Sequence, residues 1–362
     1  MMDWTDLAFE RYGLVTALGF NAPATLAALR AGISGVRATN WDDRETGEPL
    51  RGAMVQLPQW WEGVGKLADL VTPAIHECLS DLASDEARAT PLLIAVAAPD
   101  RPGRFEDLDA RLLAEVHARL GWDAHPRSGL IAADQVGGFL ALQQAMALID
   151  GGQARRVVIA GVDSFLHGPT LDALQRRRRL MTTGNSNGFF PGEAGAALRV
   201  ARAEGPSATG LRVLGAGMAQ EPAPIESLEP LRAQGLTQAA QAALKGAGVA
   251  LREVAYRLTD LSGEHYKFKE AAFMAGRLNG GDRAAPLALW HPIEYLGEVG
   301  AAILPCLLAQ AAHAAAHGYA PGPLGLCHVG ADAGARAALV LGYRHPAVPR
   351  TRTSPSLEVA AS

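Results

Sequence analysis

Cysteine is scarce in this chain: three in 362 residues, Cys78, Cys306 and Cys327, far apart and without a CxxC pair. An odd, scattered set excludes a disulfide framework and a zinc knuckle and suits a reducing compartment, so a cytoplasmic protein is expected. No run of about 18 apolar residues occurs, and the opening MMDWTDLAFERYG has acidic residues and no apolar stretch of signal length, which predicts a soluble, unexported chain. Excess basic charge is also missing. Lys and Arg number 33 against 37 Asp and Glu, a net charge of -4 that argues against nucleic acid or an anionic membrane as partner. There is no HExxH motif. His313 and His317 stand at i and i+4, but no glutamate or third ligand accompanies them, so no metal and no cofactor is expected and both read as surface histidines on an alanine-rich helix. Against these absences, 49% hydrophobic and 19% charged residues are ordinary for a folded protein, and the length allows two core-bearing units or one large α/β domain.

The best-patterned stretch runs from Ser128 to Ser164. Apolar residues Leu130 to Ala133 reach a polar corner at Asp134-Gln135; then Phe139, Leu140, Leu142, Ala145, Leu148 and Ile149 recur near the helical period on a segment apolar almost all round. This predicts a buried helix, ended at Gly151-Gly152 and followed by a buried strand at Val157 to Ala160. Upstream, Leu14-Val15 reads as a strand, and Leu26, Leu29 and Ile33 as the buried face of a helix. A helix from Leu67 to Leu82, an apolar strand from Pro91 to Ala98 and a helix from Phe105 to Leu120 follow. Between them, residues 40 to 65 form an excursion carrying Trp60-Trp61, which either cap the core under a long loop or anchor a partner surface, where tryptophan is enriched. The run Arg176, Arg177, Arg178, Arg179 reads as a solvated helix face or, alternatively, as a basic rim for an acidic protein.

Three stretches carry a resemblance. Gly13-Leu14-Val15-Thr16-Ala17-Leu18-Gly19 with Leu29 to Gly35, the segment Asn187 to Leu198 (NGFFPGEAGAAL), and the Gly152 and Gly161 landmarks around the central helix and strand are similar to the β-ketoacyl synthases of the thiolase-like superfamily. That resemblance implies a thiolase-like α/β fold of two pseudo-repeated halves in a layered αβαβα arrangement: residues 1–205, residues 206–345 and a flexible tail at 346–362. The strand at Leu211, the helix from Leu236 and the strand at Tyr256 then repeat the first-half order. It also implies a homodimer, or a heterodimer with a related subunit, formed through an edge strand.

The family's site is a cysteine on the corner and two histidines, with an oxyanion loop late in the chain. Counting from the glycines places Gln135 at the cysteine position, Asp260 and Tyr295 at the histidine positions, and Asp332 with Ala333 in the former oxyanion loop. A carboxamide offers no nucleophile for acyl transfer, and a carboxylate opposes the charge an oxyanion hole must hold. A shifted register would bring in His265 or His291 instead. The resemblance therefore implies a catalytically inactive ketosynthase-like protein. The favoured role is an adaptor, chaperone or scaffold, for example for a secreted bacterial effector of type VI secretion, with Trp60 and Trp61 as anchor. The alternatives are a chain-length-factor-like partner of an active ketosynthase, with an acyl carrier protein near Arg176 to Arg179, or a malonyl-thioester decarboxylase using Gln135.

Overall fold

The computed structural model describes residues 3–59, 61–203, 210–279 and 287–344. Trp60 and the tail at 346–362 lie outside the described residues. The first half contains β1 (Leu7–Thr16), α1 (Ala22–Arg30), β2 (Arg37–Asp42), β3 (Pro49–Gly52), α2 (Val64–Leu79), α3 (Ser84–Arg88) and β4 (Leu92–Val96). It continues with α4 (Leu108–Leu120), β5 (Gly129–Ala132), α5 (Gly137–Asp150), β6 (Arg156–Ser164), α6 (Gly168–Arg176) and β7 (Glu193–Arg202). The second half has β8 (Gly210–Gln220), α7 (Gln234–Ala247), β9 (Tyr256–Thr259), α8 (His265–Leu278) and β10 (Ala288–Trp290). It ends with α9 (Ile293–Leu296), α10 (Ile303–Ala316), β11 (Leu324–Gly330) and β12 (Ala335–Arg344).

Two mixed sheets carry the architecture. One has the order β1-β7-β6-β4-β5, the other β10-β9-β11-β12-β8. In the first, β6, β4 and β5 are parallel while β7 pairs antiparallel with β6 and β1; in the second, β11, β9 and β10 are parallel while β12 pairs antiparallel with β11 and β8. Read from matching ends, the two sheets have one topology. Between them lie α5 and α10, 14 residues each, in a core that draws on both sheets. A second cluster packs α2 and α4 on the outer face of the first sheet, and a third packs α7 and Met274 of α8 on the second. This is the αβαβα layering of the thiolase-like fold.

The central layer explains the apolar sequences. A helix flanked by sheets on both sides has no solvated stripe, so α5 buries Phe139, Leu142, Ala145, Leu148 and Ile149 on several faces. The alanine-rich segment holding His313 is α10, the buried partner of α5, and not a surface helix; its small side chains let two sheets close over one helix. His313 is half-buried, hydrogen bonded to the Tyr12 hydroxyl at 3.2 Å and stacked on His317, and no group of three candidate metal ligands occurs among the described residues. Ile33 lies beyond α1 and is 51% exposed, because the chain leaves the helix through Gly32 at φ +68°. Among the described residues no helix is long and apolar enough to cross a membrane.

Both central helices are entered through the same corner. A single 3-10 turn, Asp134–Val136 before α5 and Gly300–Ala302 before α10, begins in each case with a residue at φ +49°. Glycine adopts that conformation freely; an aspartate is held there at a cost of about 1 kcal/mol. The helix N-termini then meet, with Gly138 of α5 seated against Leu304 and Pro305 of α10.

Candidate functional site

Parallel strands β4, β6, β9 and β11 end on one side of the molecule, and the two central helices begin there. Two helix N-termini make this region attractive to carboxylates. The Glu298 carboxylate accepts the Gly300 N–H at 2.9 Å, and Asp163, at the end of β6, accepts the Ala301 N–H at 3.1 Å. Asp134 occupies the sharp corner itself, one residue before Gln135, and its Oδ1 accepts the Ala98 N–H at 2.8 Å.

The space in front of these groups is filled by ion pairs. The Lys267 ammonium, from α8, lies 3.2 Å from Asp260 Oδ2 and 3.5 Å from Glu298 Oε2. Asp260 Oδ2 also accepts the Gly330 N–H at 3.0 Å. Gln135 donates its Nε2 to Glu298 Oε1 at 3.3 Å, while its buried Oε1 has no hydrogen-bond partner. Arg179 clamps Glu264 through Nε at 2.7 Å and Nη2 at 2.9 Å and pairs with Asp332; Arg336 clamps Glu270 at 2.8 and 3.0 Å; Arg101 forks onto Asp163.

Seven carboxyl groups (Asp134, Asp163, Asp260, Glu264, Glu270, Glu298, Asp332) thus share four cations (Arg101, Arg179, Lys267, Arg336). The imbalance shows in the acidities. Burial would pull the Lys267 ammonium down, but Asp260 and Glu298 hold it above its usual range. Burial pushes the Glu298 and Glu270 carboxyls up, with Lys267 and Arg336 offsetting part of the effect. Asp134 rises to about 6, mainly through burial and against the pull of Arg101. Asp332 is half-buried, and Arg179 keeps it below the usual carboxylate range. The hollow bounded by Asp260, Lys267, His328 and Asp332 measures about 20 Å3, the room of one water molecule, where a small-molecule site needs roughly 300 Å3.

The sequence-derived site is only partly assembled. Gln135, Asp260 and Asp332 converge on this network, whereas Tyr295 does not. Its carbonyl accepts the Gly35 N–H at 2.9 Å and its hydroxyl lies near Gly32, on the far side of α9. The reason is local: α9 is one turn long and Gly297, at φ +70°, redirects the chain so that Glu298 is the residue turned inward. Ala333, beside Asp332, is exposed, and its carbonyl accepts from Gln220.

His265 is exposed at the start of α8, and His291 lies against Phe268 and 3.9 Å from Glu294. The imidazole that lies beside Asp260 is His328 on β11, 3.2 Å from the Thr259 hydroxyl and lowered to about 3 by burial, hence neutral. Arg179 is corrected as well: it is buried and doubly paired, not part of a solvated rim. Arg176, Arg177 and Arg178 are exposed and sit beside Asp172, Glu226 and Glu45 respectively. Trp61 is 42% exposed, with its indole N–H donated to Asp69 at 2.7 Å. The residues that sequence reasoning missed are Lys267, Glu298, Glu264, Glu270, Arg336, Arg101 and Asp163.

No family model and no curated protein matches the sequence. Solved structures do. Over 94% of this chain and 100% of the other, the fold superposes on the ishigamide ketosynthase/chain length factor with a TM-score of 0.70 at 19% identity. A type II polyketide acyl-carrier protein in complex with its ketosynthase bound to the hexaketide gives 0.75 at 15% identity, covering 93% and 99%. A β-ketoacyl synthase from Burkholderia phymatum gives 0.72 at 17% identity, covering 94% and 100%. The chain has the thiolase-like ketosynthase fold along nearly its whole length.

Proposed function

We propose that this chain is a non-condensing ketosynthase-fold protein that works by binding another protein, as a subunit beside an active synthase. The observation that carries this reading is the filled interior: where acyl-thioester chemistry would need a nucleophile and room for a substrate, there are ion pairs and a hollow of about 20 Å3. A group that cannot be acylated stands beside carboxylates that oppose enolate charge. Decarboxylation through Gln135 fares no better, since its amide N–H is turned to Glu298.

Similarity to ketosynthase assemblies containing a chain length factor or an acyl-carrier protein favours a synthase-type partner. Strand β5, apolar, half-buried and at the edge of its sheet, offers a surface for pairing across a two-fold. The effector-adaptor reading has less to stand on, because the Trp61 indole N–H is already tied to Asp69. Two measurements test the proposal. Intact mass spectrometry after incubation with malonyl and acyl thioesters should show no covalent adduct and no release of carbon dioxide; either one overturns it. Purification from the native host should yield a stoichiometric complex with a ketosynthase or carrier protein, and an effector in its place would restore the adaptor.

A further inference from the structure

The two halves share a topology, so their outer helical layers can be compared position for position, and they differ in charge. On the first half, α2 and α4 are laced with ion pairs: Arg111 with Asp107 and Glu115, and Arg119 with Glu115 and Asp69. On the second half, α7 has no acidic residue, and the one in α8, Glu270, is buried against Arg336. What this layer exposes is Lys245, Lys269 and Arg277, none of which has a carboxylate within 4.0 Å among the described residues. The exposed arc of α8 carries Phe268 at 41% and Phe273 at 37% on its two flanks, about 140° apart round the helix, with Lys269 and Arg277 lying over the Phe273 ring at 5.6 and 5.8 Å.

We infer that the outer face of α8 is a docking surface for an acidic amphipathic helix of a partner protein. Arg277 Nη1 donates to the Thr237 hydroxyl at 3.3 Å and the Ala233 carbonyl at 3.4 Å, but neither it nor Lys269 has a carboxylate partner, and aromatics beside such cations suit a helix that presents apolar residues at i and i+4 with carboxylates along its edges. Between the two phenylalanines lie Ala272 and Gly276, both exposed, whose small side chains let a second helix approach closely. Three cations over two helices are too few for a phosphate backbone, and the chain as a whole is acidic, which favours a protein over a nucleic acid. This face does not involve the buried ion network. The inference extends the partner-binding reading above, but thioester assays test that reading and peptide titration tests this one.

The probe is a fluorescein-labelled 14-residue peptide with leucine at i, i+4 positions of one face and glutamate on both flanks, alongside a version with lysine for every glutamate. Fluorescence anisotropy should show the glutamate peptide binding the full chain and weakening as NaCl rises. Phe268→Ala with Phe273→Ala, and separately Lys269→Glu with Arg277→Glu, should each weaken it at least tenfold without moving the thermal midpoint. The charge-reversed variant should in turn bind the lysine peptide. Equal binding of both peptides, binding unaffected by either double variant, or no binding at millimolar peptide overturns the inference. So does co-sedimentation with phosphatidylserine vesicles that depends on Lys269 and Arg277, which would make the face a membrane contact.

Discussion

Replacing Asp134 by asparagine should stabilise the protein, and by an amount that depends on pH. Asp134 is 6% exposed, sits at φ +49° and has one hydrogen-bond donor, the Ala98 N–H, with Arg101 Nη1 at 3.6 Å. Burial raises its carboxyl from the usual 3.8 to about 6. A carboxyl with a raised folded-state pKa favours folding fully below pH 3.8 and loses that contribution as pH rises through 6. By linkage, the loss for such a displacement is about 3 kcal/mol at pH 8 relative to pH 3. Asparagine keeps the acceptor oxygen, tolerates the left-handed corner and carries no charge to desolvate. Asp134→Asn should therefore gain about 2 to 3 kcal/mol at pH 8 and almost nothing at pH 4. Urea unfolding of both proteins at intervals between those pH values measures it, the difference removing the titration of Glu298 and Glu270, whose carboxyls are also raised. A difference that does not change with pH, or a variant less stable at pH 8, would refute the assignment of a strained, desolvated carboxylate to this corner.

Lys267→Met should cost about 3 to 5 kcal/mol in the same assay, because it leaves Asp260 and Glu298 buried without their cation; a loss below 1 kcal/mol would mean that the network is hydrated. Arg179→Ala should cost a similar amount and Arg179→Lys should recover little of it, since an ammonium cannot fork onto Glu264 and Asp332 together. Arg176→Ala, at a 70% exposed side chain, should change stability by less than about 0.5 kcal/mol; equal effects at 176 and 179 would contradict the burial described for the latter. Gln135→Cys should neither take up an acyl group nor condense thioesters, as read by intact mass spectrometry. Recovery of either would show that the surrounding groups can still support acyl transfer.

The apolar framework was legible in the sequence because its signals are local. The period in Phe139 to Ile149, the run Val157 to Ala160 and the glycines that end helices each reflect forces within a few residues, and α5 and β6 fall where those patterns put them. The ion network was illegible for the opposite reason. Charged residues taken singly belong on the surface, and Lys267, Glu264 and Glu298 are buried only because partners distant in the chain meet them. Arg179 meets Glu264 at a separation of 85 residues and Asp332 at 153. Tyr295 shows the limit of counting along a motif. A turn at Gly297 faces a tyrosine outward and a glutamate inward three residues later, and glycine spacing alone does not say which.

The buried pairs also bear on what this protein can become. Placing a cysteine at the corner and an imidazole at position 260 would require removing the carboxylate that faces Lys267, and clearing space for an acyl group would require breaking the clamp of Arg179 on Glu264 and Asp332. Breaking that clamp strands the Glu264 carboxylate in the interior, and a loss of several kcal/mol is comparable to the whole margin by which a domain stays folded. No route of single substitutions to such a site avoids that loss. Variation is cheaper on the outside, where the outer face of α8 and the edge of β5 can change a residue at a time without disturbing the ion pairs within.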